Sequence, residues 1–136
     1  LLVFADTLEE RDAILRSYKR YMYVTMSMML MAFLVAWWVP SFGWAMTATL
    51  ATEFASLWTL LRIRQVLLPM IARDAARDPV GAKCRYRAYD YSYGPTAIVI
   101  SGVVYVGAMA IFHLSLHYGI DGTVAAIRML AGRWSD

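Results

Sequence analysis

Apolar residues fall in three long runs separated by polar and charged stretches. The first run, 21–39, holds no Asp, Glu, Lys or Arg; the second, 42–61, holds one charge, Glu53; the third, 96–118, holds none. A bilayer core about 30 Å thick needs about 20 helical residues at roughly 1.5 Å each, and each run meets that length. Backbone N–H and C=O groups in hydrocarbon must bond within their own segment, so the runs predict three helices. A buried soluble helix is the alternative for one run, but three in a short chain argue against it. The 21–39 run lacks a small-residue cleavage site and leads into another span, so it does not read as a signal peptide.

Pro40 and Ser41 join the first two runs. Proline stops the first helix, and so short a link makes the pair an antiparallel hairpin. Trp37, Trp38 and Trp44 cluster at this turn. An indole there buries its ring and keeps its N–H wet, as at a membrane–water interface. Ahead of the first span, residues 7–20 predict an amphipathic helix. Thr7 and Glu10 have capping-box spacing, and Leu8, Ile14, Leu15 and Tyr18 form an apolar stripe. Gln65–Ala76 is still helix-forming, so the second helix is expected to run past Leu61 and kink at Pro69. After Asp121-Gly122, Thr123–Ala131 predicts a short surface helix capped by Thr123 and ended by Gly132. The expected architecture is an all-α integral membrane protein. It has three transmembrane helices and short amphipathic helices at both ends, as one membrane domain over 1–136 with a basic loop at 62–95.

Composition agrees. Of 136 residues, 60% are hydrophobic and 17% charged, too apolar for an ordinary soluble domain of this size. That disfavours a water-soluble enzyme, a disordered region and a nucleic-acid binder. Cys84 is the one cysteine, so there is no intrachain disulfide and no zinc cluster. Eleven of the 13 basic residues lie before the first span or between the second and third, and only Arg128 and Arg133 follow the third. The positive-inside rule then places the N-terminus and the 62–95 segment on the matrix or cytoplasmic side, with phospholipid headgroups as partners for the basic residues. Leu1 in place of Met fits a processed or trimmed chain.

Three groups of residues could carry chemistry. Glu53 sits mid-span, where an ionised side chain costs roughly 2.5–3.5 kcal/mol. It serves either proton transfer or, with the small polar stripe of Thr49, Thr52 and Ser56, helix packing. Its setting is similar to that of proton-carrying rotor subunits, which have two spans where this chain has three. His113 and His117 share one face of the third helix. They could share a metal or ligate a haem, or make hydrogen bonds at the interface; bis-histidine haem ligation needs an opposing helix, and these are the only two histidines. The stretch from Arg85 to Pro95, Arg-Tyr-Arg-Ala-Tyr-Asp-Tyr-Ser-Tyr-Gly-Pro, is either an aromatic and basic belt or a set of donors for a quinone carbonyl or a lipid headgroup.

At this last motif the chain resembles the small membrane-anchor subunit of succinate dehydrogenase. The likeness lies in the three spans, the inward N-terminus, Asp90-Tyr91 shortly before the third span, and the end from His117-Tyr118-Gly119-Ile120 through Met129-Leu130. The resemblance implies a non-catalytic subunit of a respiratory complex in the mitochondrial or a bacterial inner membrane, beside iron–sulfur and second anchor subunits. It implies that Tyr91 hydrogen-bonds ubiquinone and that Asp90 orients it through an arginine, here Arg87. The family's haem-ligating histidine on the second span has no counterpart, so haem b of such a complex takes no ligand assigned in this chain. Two other expectations stand beside it. One is a structural accessory subunit of another respiratory complex (an oxidase, complex I or ATP synthase); the other is a small oligomeric transporter or channel using Glu53.

Overall fold

A computed structural model describes residues 1–133; the last three residues of the expected 1–136 domain lie outside the described residues. A 3-10 turn, Leu2–Phe4, precedes four helices: α1 (Leu8–Trp38), α2 (Phe42–Arg77), α3 (Pro79–Tyr93) and α4 (Pro95–Arg133). No strand occurs among the described residues. Three helical stretches, α1, α2 and the α3–α4 run, are long and apolar enough to cross a membrane. The protein is an all-α, three-span membrane protein.

Each helix boundary has a local cause. Thr7 and Glu10 form the expected capping box: the Glu10 N–H donates to Thr7 Oγ1 at 3.2 Å and the Thr7 N–H to Glu10 Oε2 at 3.4 Å. From there α1 runs without interruption into the span, so the N-terminal amphipathic segment is the first part of α1 and not a separate element. Of its expected stripe, Ile14 is buried, whereas Leu8 and Leu15 are exposed.

Helix α2 runs past Leu61 as expected, and the rest of the expected 62–95 loop is corrected, because Pro79–Tyr93 forms a further helix. Helix α2 continues through Pro69 to Arg77, held by Ile63, Leu67 and Met70, whose side chains enter the core. Asp78 then ends α2 and starts α3: its Oδ1 accepts the Gly81 N–H at 3.0 Å, with Pro79 at the first helical position.

The expected Thr123 cap is also corrected. The break in α4 falls at Gly119, whose φ of 74° only glycine adopts without strain. Thr123 lies inside the helix beyond it and donates to the Gly119 carbonyl at 2.8 Å. Gly132 does not end the helix, which extends to Arg133.

Packing divides by environment. Where α1 and α2 touch within the apolar layer, the buried residues are small or polar: Ala32 and Ala36 on α1 against Ala45, Thr49, Thr52, Ser56 and Thr59 on α2. Thr52 donates to the Met28 carbonyl at 3.1 Å, and the Thr25 and Ser56 hydroxyls are 3.2 Å apart. Lipid tails are as apolar as leucine, so spans associate through close approach and polar contacts. The large-residue core lies at the other extreme, toward the basic end: Phe4, Ile14, Leu60, Ile63, Leu67, Met70 and Tyr89.

Around this core the 3-10 turn, α1, α2 and α3 are tied by ion pairs. Arg73 grips Glu10 with both terminal nitrogens (2.6 and 2.8 Å), reaches the Phe4 carbonyl at 3.2 Å and pairs with Asp6 at 3.1 Å. Arg85 grips Asp74 at 2.8 and 2.9 Å. Three of the basic residues read as topology signals therefore have acidic partners: Arg73, Arg77 and Arg85.

These pairs give the basic end a pH dependence. The Arg73 guanidinium, then the Asp6 N–H, hold the Glu10 carboxyl down at about 2, from an ordinary value of 4.5. A depressed carboxyl contributes its full stability above the ordinary value and loses it as pH falls toward the folded-state value. The thermal midpoint in detergent is thus expected to fall between about pH 4.5 and 2 partly through Glu10. Glu10→Gln should lower the midpoint at neutral pH and flatten that acid limb; an unchanged limb would remove Glu10 from it.

Candidate functional site

The expected quinone residues lie on α3 and on the turn into α4. Pro95 opens α4, and Gly94 allows the turn: a Cβ at Gly94 would sit 2.6 Å from the Asp90 Cα and 2.7 Å from its carboxylate. Asp90 caps the new helix, its Oδ1 accepting the Thr96 N–H at 3.2 Å and its Oδ2 the Thr96 hydroxyl at 2.6 Å. A carboxylate at a helix N-terminus also meets the positive end of the helix dipole. The structure thus gives Asp90 a different task from the expected pairing with an arginine, since its described hydrogen bonds go to Thr96.

Arg87 and Tyr91 are brought together. Four residues apart on α3, they share one face, and both are exposed, Tyr91 to 67%. Neighbouring tyrosines are used in packing. Tyr89 is buried edge-on against Phe4, and Tyr93 sets its ring edge-on to Tyr18 on α1. Burial raises the Tyr89 hydroxyl above its ordinary value of 10.0, which suits a neutral core phenol. Helical spacing is the physical reason: 89 faces inward and 87 and 91 face outward, while Tyr93, 41% exposed, lies along the edge against Tyr18.

Glu53 lies apart from the threonine stripe and faces α4. Its Oε2 would be 2.6 Å from a Cβ at Gly102, so the glycine lets α4 pass the carboxylate. With Phe54, Val99 and Val103 it lines an apolar groove of about 610 Å³ between α2 and α4. Close by, the Tyr105 hydroxyl is buried without a hydrogen-bond partner among the described residues.

His113 and His117 are used at the hairpin end, a role sequence reasoning left open. His113 is wholly buried. Its Nδ1 lies 3.0 Å from the Ala36 carbonyl oxygen and its Nε2 lies 3.1 Å from that of Pro40, while His117 Nε2 lies 2.9 Å from the Ala36 oxygen. Pro40 stands where α1 would supply its next N–H, and proline has none. The Ala36 carbonyl is thereby left to donors from α4. A neutral ring of His113 serves one of its two carbonyls, and a protonated ring serves both. The signal was present: a proline four residues after Ala36, and a histidine pair at the same depth in the third span.

No family model, curated protein or solved structure matches this chain. Among the described residues no group of three or more His, Cys, Asp or Glu side chains is placed to hold a metal ion. What the geometry offers is two unspent donors on α3, one carboxylate in an apolar groove, and a hairpin clasped by histidines.

Proposed function

We propose that this chain is a non-catalytic membrane subunit of a respiratory-chain complex, in the form of the succinate dehydrogenase anchor, seated in the mitochondrial or a bacterial inner membrane. The observation that carries the reading is the outward face of α3. There the Arg87 guanidinium and the Tyr91 hydroxyl stand exposed one turn apart, directly before α4 enters the apolar layer. Both donate hydrogen bonds, and neither has an acceptor among the described residues, which suits a ubiquinone carbonyl held between this face and a neighbouring subunit. Ubiquinone bound there would take up electrons from iron–sulfur centres of that neighbour. Asp90 acts at one remove, fixing the α3–α4 turn that aims Tyr91.

Tyr91→Phe in the assembled complex is expected to raise the KM for quinone about threefold to tenfold, the worth of one hydrogen bond, with Tyr93→Phe as the packing control. Unchanged quinone kinetics in Tyr91→Phe would remove the site. Mass spectrometry of the complex that copurifies in mild detergent tests the wider assignment. A flavoprotein and an iron–sulfur subunit would support it; oxidase or proton-pump subunits would make the chain an accessory subunit elsewhere. The Glu53 groove favours one further reading, a small oligomeric transporter, which a complex built only of copies of this chain would support.

A further inference from the structure

We propose that the groove between α1 and α2 at the basic end seats the headgroup of an anionic phospholipid. The groove encloses about 650 Å³. Its mouth carries Ser17 and Arg20 from α1 and Arg62 and Gln65 from α2, and its walls continue with Val24, Ala55 and Trp58. Arg20 immediately precedes the first apolar run and Arg62 immediately follows the second. The two arginines therefore line one groove at headgroup depth, although 42 positions separate them in sequence. Val24 lies one helical turn into the membrane from Arg20, and Ala55 lies two turns in from Arg62. A ligand filling this groove has an anionic head with hydrogen-bond acceptors and an apolar tail running toward the hairpin.

Charge decides which headgroup. Arg20 and Arg62 have no carboxylate partner among the described residues, in contrast to Arg73, Arg77 and Arg85. On their own helices the nearest acidic residues, Asp12 and Glu53, lie eight or more positions away, about 12 Å along the axis. Arg62 lies over the Trp58 ring, 5.4 Å from its centroid, which holds the planar group against the groove wall and leaves its N–H edges for phosphate oxygens. Basic pockets between transmembrane helices on the matrix or cytoplasmic side recognise anionic headgroups in this way. A zwitterionic lipid brings its own cation to the same mouth and loses the advantage.

The test uses the full chain, purified in mild detergent and stripped of lipid, with binding of dioleoylphosphatidylglycerol and dioleoylphosphatidylcholine followed by native mass spectrometry. Phosphatidylglycerol is expected to bind preferentially. At about a fivefold effect for each of two arginines, Arg20→Gln/Arg62→Gln should weaken it about 30-fold. Arg11→Gln/Arg16→Gln should change it less than about twofold, as a test of position against total charge. Both arginines are exposed, so an unaltered thermal midpoint without lipid confirms that the double variant folds. Equal binding of the two lipids, or full binding by the double variant, would overturn the proposal. Displacement of the lipid by inorganic phosphate at equal concentration would overturn it as well, by showing that the tail contributes nothing.

Discussion

His113→Ala/His117→Ala is expected to lower stability by about 2–4 kcal/mol, through the buried Ala36 carbonyl left without a donor, the Pro40 carbonyl left to the Tyr118 hydroxyl at 3.4 Å, and the space of a buried ring. The cause lies in α1. Its C-terminal carbonyls point at the hairpin, its last turn holds no basic residue, and Pro40 withholds the N–H that would have answered Ala36. The histidines of α4 supply what is missing, with three ring-nitrogen contacts of 2.9–3.1 Å to the Ala36 and Pro40 oxygens, at the negative end of the α1 dipole. Ala36 is fully buried, out of reach of water, so its carbonyl is costly to leave unanswered. Unfolding by sodium dodecyl sulfate in mixed micelles measures the loss. Pro40→Ala supplies the decisive comparison, because it returns an N–H to α1. In that background the histidine pair should matter less by about 1 kcal/mol or more. An equal loss in both backgrounds would mean that the histidines merely fill space.

The same pair of observations shows what a single sequence discloses. Three spans were legible because water would not tolerate uninterrupted apolar runs of this length on so small a chain. The Thr7–Glu10 cap was legible because both partners lie within one turn. The two signals for His113, a proline without an N–H and a histidine pair, were both present, but 73 positions separate His113 from Pro40 and only the fold joins them. Ion pairing was obscured for a similar reason. Arg73 and Glu10 read as flanking charges, and only the folding of α2 back along α1 makes one the partner of the other. Within the 62–95 segment the arginines masked a helical core pattern: Ile63, Leu67 and Met70 recur at four and three residues. Asp78-Pro79 then carries the cap-and-proline signature of a new helix. On α3 the motif Arg85–Tyr93 drew attention to the right stretch, but its tyrosines divide by helical face, and Asp90 turns toward Thr96.

Leu67→Ala is expected to be the most damaging single truncation, at about 2–5 kcal/mol. Leu67 is fully buried and lies six residues past the end of the second span, about 9 Å beyond it. There the solvent is headgroup and water, so burial of large side chains carries the full hydrophobic driving force. It packs in the cluster with Ile14, Ile63, Met70 and Tyr89, over which the Arg73–Glu10 pair closes. Thr52→Val is the matched comparison within the membrane. Its side chain is equally buried, yet lipid replaces protein with no hydrophobic loss, and its hydrogen bond to the Met28 carbonyl is worth about 0.6 kcal/mol. Unfolding in mixed micelles should therefore rank Leu67→Ala severalfold above Thr52→Val. Equal effects would place both residues in one solvent environment and move the boundary of the second span. The expected ranking means that burial at the basic end contributes more stability than burial in the seam between α1 and α2. The α3 face bearing Arg87 and Tyr91 is tied to this cluster through Tyr89 and the Arg85–Asp74 pair, as a site that must hold a small headgroup in register requires.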